Sequence, residues 1–127
     1  MRRKPKPHIE ATIRSLVPTF TKLCSLEKAP YITFERQEVK RLGLKRYSNL
    51  GRRYFGMAWF KENVIYISPR HEKTDSARNT LAHEFCHLRF PYLSHGRNFE
   101  EKVGQLLKGN QFKPKRKATP TKEVALN

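Results

Sequence analysis

Two histidines four residues apart flank a glutamate. His83, Glu84, Phe85, Cys86 and His87 read His-Glu-x-x-His. On a helix, positions i and i+4 share one face about a turn apart, so both imidazoles can reach a single cation at ~2.0–2.1 Å. Glu84 follows His83 about 100° further round the axis, beside the ion without being forced to bind it. Zinc brings the pKa of a bound water to about 7, and a glutamate so placed takes its proton as the water attacks a carbonyl. The same carboxyl can then return a proton to the leaving amine. The chemistry predicted is peptide-bond hydrolysis. A catalytic zinc needs a third protein ligand and keeps a position open for water. His95 is the candidate: Pro91 ends the helix, and Gly96 eases a tight return of the chain. Glu100 or Glu101 is the alternative.

A short motif of this kind occurs by chance, so its surroundings decide its weight. Here it falls in an amphipathic helix, after a strand pattern and before a third histidine. Cys86, inside the motif, could serve as a ligand but is read as a small buried apolar side chain. His8 and His71 are read as surface residues, with His71 near enough to the helix to support a ligand. Met57 is read as core.

The elements that must position these groups follow from periodicity. Ile9, Ile13, Leu16, Val17, Phe20 and Leu23 recur at helical spacing and predict a helix from His8 to about Leu26, kinked or split at Pro18. "APYITFER" predicts a first strand. "QEVKRLGLKRYSNLGRR" predicts a loop with one helical turn near Val39 to Leu42. "YFGMAWF" and "VIYIS", separated by "KEN", predict a β-hairpin. A helix is predicted from Asp75 to Arg89, capped by Thr74, Asp75 or Ser76 and buried through Ala77, Leu81, Phe85 and Leu88. "RNFEEKVGQLLKG" predicts the last helix, with Gly109 at its C-terminal cap. Residues 1–7 and 110–127 are read as basic, disordered tails around one domain of residues 8–109.

The composition narrows the partners. Against 11 Asp+Glu stand 27 Lys+Arg, a formal net charge of +16, and the basic residues come in blocks. That predicts a polyanion, nucleic acid before an anionic membrane, since no basic amphipathic helix stands out. Arg36, Lys40, Arg41, Lys45, Arg46, Arg52 and Arg53 are the expected phosphate contacts; Tyr47, Tyr54, Phe55 and Trp59 among them could stack on unpaired bases, with half or more of the four expected in the core instead. Two cysteines, Cys24 and Cys86, rule out a four-cysteine zinc site within one chain. No apolar run approaches the ~20 residues of a membrane span, and no apolar core of a signal peptide follows the basic start. An intracellular monomer is expected.

His83-Glu84-x-x-His87 followed by His95-Gly96-x-x-Phe99 resembles the SprT-like zincin metalloproteases, a family that includes the Spartan DNA-dependent proteases. The likeness runs in layout from Tyr54 to Leu107 and at motif level from His83 to Phe99. It implies that His83, His87 and His95 bind one zinc ion, that Glu84 is the general base, and that Gly96 and Phe99 shape and pack the turn. It also implies processing of proteins attached to DNA. The fold expected is α+β: a minimal zincin-like domain with an N-terminal helix, a small, mostly antiparallel sheet of about three strands, the motif helix and a C-terminal helix. The chain lacks the cysteine-based zinc ribbon common in bacterial members, and its gap from His87 to His95 is short for SprT itself. Metzincin spacing fails, because Phe90 stands where that pattern needs glycine. Two other readings remain: a nucleic-acid-binding module with a structural or vestigial metal, and a regulatory protease that cuts a specific repressor or antitoxin.

Overall fold

The computed structural model describes residues 4–45 and 55–113. In chain order the elements are α1 (Pro7–Leu23), β1 (Tyr31–Thr33), α2 (Arg36–Arg41), β2 (Gly56–Trp59), β3 (Val64–Ile67), α3 (Thr74–Arg89) and α4 (Arg97–Leu107). The architecture is α+β, four helices around one small sheet.

The strands lie in the order β1-β3-β2. All four residues of β3 are buried, as an uninterrupted Val-Ile-Tyr-Ile run demands of a central strand covered on both faces. The sheet is mixed: β2 pairs with β3 as the antiparallel hairpin, but β1 runs parallel to β3. The mostly antiparallel sheet expected from the sequence is corrected accordingly. Parallel neighbours need a long crossover, and the connection from Thr33 to Val64 provides one.

Registration sorts the strands into two faces. Ile32, Ile65 and Ala58 are mutual partners and, with Ile67, face the large core of α1, α3 and α4. Val64, Tyr66, Met57 and Trp59 face the other way and enclose Val39 and Leu44. The short α2 therefore covers the sheet face opposite α1 and α3, giving three layers. In the main core, Phe20 of α1 meets Phe85 of α3 edge to face at 5.6 Å, a geometry that aromatic quadrupoles favour.

Local expectations fare unevenly. α1 runs unbroken through Pro18. Pro18 is exposed, so water can satisfy the carbonyl it leaves unpaired, while Ile9, Ile13 and Phe20 bury both halves of the helix. The predicted single turn near Val39 is α2, a helix of 6 residues beginning at Arg36. α3 has Lys73 at its N-cap and no side-chain cap; Ser76 instead pairs with the His71 ring. Gly109 does close α4, with φ +85° and its N–H donating to Leu106 O at 3.0 Å, while Asn110 N–H donates to Gln105 O at 3.0 Å. Packing continues past residue 109: Phe112 is buried, its N–H donates to Leu23 O at 2.7 Å, and its ring meets Phe90 at 5.1 Å. Among the described residues no helix is long and apolar enough to cross a membrane.

Candidate metal centre

α3 brings its motif to the sheet because its apolar stripe is buried. Ala77, Leu81, Ala82, Phe85, Cys86 and Leu88 face the core. His83 and His87 stand half-buried on the flank of that stripe, and exposed His95 reaches them from the turn after Pro91. The Nε2 atoms of His83 and His87 are 3.1 Å apart, and those of His87 and His95 are 2.9 Å apart. Two nitrogens on one tetrahedral zinc would be ~3.3 Å apart, given bonds of ~2.0–2.1 Å. The three histidines lie close enough to bind a metal ion, and among the described residues they form the one such group of three or more potential ligands.

Phe99 is the floor of this cluster. Fully buried, its ring centroid lies 4.8 Å from that of His83, 4.5 Å from His87 and 5.2 Å from His95. One aromatic ring from α4 thus limits how all three imidazoles can turn. The alternative ligands stand aside. Glu100 is exposed, near enough for its charge to oppose the fall in the His83 pKa, and Glu101 lines a separate depression.

The electrostatics suit a cation. Burial pulls the His87 pKa down to about 4, helped by the neighbouring His83 and His95. Burial also lowers that of His83, helped by His95. Both rings are neutral near pH 7, with lone pairs free for a metal. Glu84 is only 5% exposed, and burial pushes its pKa up to about 8. Among the described residues no cationic side chain offsets that rise, so the carboxyl sits beside the cluster as a group whose charge a nearby cation would favour.

A cleft of about 250 Å³ opens over the cluster. It is lined by Gly56, Met57, Ala58 and Phe60 on the strand side and by His83, Glu84, His87, Pro91 and His95 on the other. Among the described residues β2 is an edge strand. Ser68 N–H donates to Phe55 O at 2.8 Å, so Phe55 and, by alternation, Met57 and Trp59 turn their main-chain groups toward β3. Gly56 and Ala58 turn theirs to the open edge. At one end of the cleft Phe60 meets Tyr92 edge to face at 5.6 Å. Tyr92 is 86% exposed and lines the neighbouring depression rather than the metal cleft.

Other residues singled out from sequence land in different places. His71 is buried rather than on the surface, its Nδ1 3.0 Å from Ser76 Oγ and its ring 5.2 Å from Phe55. His8 is exposed, near the Glu72 carbonyl at 3.3 Å. Cys24 and Cys86 are free and buried, and burial pushes both thiols up to about 12; Cys86 packs in the main core and does not line the cleft. Arg36, Lys40, Arg41 and Lys45 lie on or just after α2, in the layer across the sheet from the cluster. Arg46, Arg52 and Arg53 lie outside the described residues.

Sequence reasoning did not single out Gly56 or Thr80. A Cβ built on Gly56 would come 2.7 Å from Thr80 Cγ2 and 2.9 Å from Glu84 Oε2. The available signal was a glycine inside a strand pattern, which often marks close approach by another element. No protein-family model matches the chain, and no curated protein or solved structure matches it.

Proposed function

We propose that this chain is a zinc-dependent metalloendopeptidase of SprT-like type that acts on proteins held on DNA. The observation that carries the reading is the union of three converging imidazoles with a buried, adjacent carboxyl in a cleft bordered by β2, an edge strand among the described residues. The ligand chemistry favours zinc: neutral imidazole suits it, and three protein ligands are the usual number where the ion is catalytic. A zinc ion held by His83, His87 and His95 would supply Lewis acidity and a water acidic enough to lose its proton near pH 7.

The chain's own residues do the rest. The open N–H and C=O groups of Gly56 and Ala58 are spaced to add an extended substrate as a further strand, which holds its backbone over the cluster. Glu84 accepts the proton of the attacking water and delivers it to the leaving amine nitrogen. A carboxyl pushed toward neutrality by burial is well matched to both halves of that transfer. Phe99 keeps the ligand rings from swinging away. The DNA part rests on the net charge of +16 and on the basic residues of and after α2. Those residues occupy the layer opposite the cleft, so DNA bound there would leave the cleft open to a protein on the same strand.

Cleavage of an unfolded protein substrate with and without zinc tests the reading. The wild type should cleave only with metal. Glu84→Gln should hold one zinc per chain and lose cleavage by a factor of at least ~100, the usual contribution of a general base. A wild type that binds zinc and DNA but cuts nothing would instead make the chain a nucleic-acid-binding module with a structural metal.

A further inference from the structure

We infer that Gly56 is a positioning residue for Glu84, holding the carboxylate in place by having no side chain; the inference rests on the peptidase reading above. Glycine weakens a strand interior, so its presence there needs a reason. Backbone conformation is not that reason, because Gly56 is absent from the residues with positive φ. Close approach is. A Cβ at Gly56 would lie 2.7 Å from Thr80 Cγ2, 2.9 Å from Glu84 Oε2 and 3.1 Å from Glu84 Cγ.

A Cβ there would have to push one or both of them aside. Thr80 and Glu84 are four apart on α3, so their side chains stand together on one face of the helix. Thr80 is β-branched, and in a helix its rotamers are few. Glu84 is 5% exposed and lines the metal cleft, so a carboxylate pushed aside by a new Cβ would leave its place beside the cluster. β2 is tied to β3 from Gly56↔Ile67 to Trp59↔Val64, and Ser68 N–H donates to Phe55 O just before it, so the chain is held on both sides of Gly56. The main chain of Gly56 on one side and the Thr80 methyl beside it therefore leave the carboxylate one slot. The same residue lines the metal cleft and turns its main-chain groups to the edge where substrate would pair. One small residue thus fixes the carboxylate relative to both the ligand cluster and the substrate backbone.

The test compares wild type, Gly56→Ala, Thr80→Ser and the double variant for zinc content, kcat, KM and melting temperature. A shift of ~1 Å in a group that must meet its proton costs about 100-fold in rate. Gly56→Ala should therefore keep one zinc per chain, lose about 100-fold in kcat and change KM little. Thr80→Ser removes the methyl that the new Cβ would strike. In that background the same Gly56→Ala change should cost less, in kcat and in melting temperature alike. If Gly56→Ala alone does not fold, the double variant set against Thr80→Ser carries the comparison.

Wild-type kcat in Gly56→Ala overturns the positioning role alone. So does loss of zinc in step with kcat, or strictly additive melting shifts. A metal-loaded wild type that cleaves nothing overturns the peptidase reading and the positioning role together.

Discussion

Removing the metal with a chelator and raising the pH from 6.5 to 8 should destabilise the protein through one carboxyl. Burial pushes the Glu84 pKa from its ordinary 4.5 up to about 8. A carboxyl raised in this way binds its proton more tightly in the folded chain than in the unfolded one. Its contribution to stability is complete below about pH 4.5 and is lost as the pH climbs through about 8. The buried histidines act in the opposite sense. Burial lowers His71 and His83 from 6.5 and takes His87 to about 4. Their contribution is complete above pH 6.5 and is lost as the pH falls through their folded values. The two effects oppose each other up to about pH 7.5, because an unfolded histidine is still half protonated at pH 6.5; above that the histidines are neutral in both states and the Glu84 carboxyl dominates the slope. One proton is worth ~1.4 kcal/mol per pH unit, so the Glu84 share of the change between pH 6.5 and 8 is about 2 kcal/mol, read as the difference between wild type and Glu84→Gln, out of a total stability of ~5–15 kcal/mol. Urea unfolding of the metal-free protein across this window measures it. Stability should be greatest at about pH 7, where the histidine and Glu84 slopes balance, and Glu84→Gln should flatten the alkaline limb. Restoring zinc should flatten it too, because a nearby cation favours the carboxylate. An alkaline limb of equal slope in Glu84→Gln would refute the assignment of that slope to this carboxyl.

Phe99→Ala removes the floor beneath the imidazoles. It should cost about 3–5 kcal/mol as a cavity in the core and weaken zinc binding by about 10–100-fold, the usual effect of losing a group that orients a ligand; zinc titration and thermal unfolding read the two separately. Affinity for single-stranded DNA should fall steeply with salt, with log K linear in log[salt]. Replacing Arg41 and Lys45 by Ala should make that slope shallower without touching cleavage of a free peptide. Equal slopes for variant and wild type would move the DNA contacts off the α2 layer.

What could be read from the chain alone was what depends on local spacing. Helical periodicity found α1, α3 and α4 because one buried face imposes a repeat of 3.6 residues on each, and the hairpin of β2 and β3 was legible because its turn is short. Four-residue spacing put His83 and His87 on one helix face whatever the fold around them, and it set Glu84 beside them. Spacing alone does not join His95 to that pair, since a loop's path depends on what it packs against; Phe99 supplies that contact. Tertiary structure alone decided that β1 lies parallel to β3, because strand neighbours are chosen by the packing of Ile32 and Ile65 under α1 and α3 rather than by either strand's own pattern. It also decided that His71 is buried, that Ser76 turns to His71 instead of capping α3, and that the packed chain runs on to Phe112. Most of all it decided the state of Glu84. A carboxyl's type and position are written in the sequence, but its desolvation depends on how closely β2 approaches α3, and Gly56 sets that distance from 28 residues away.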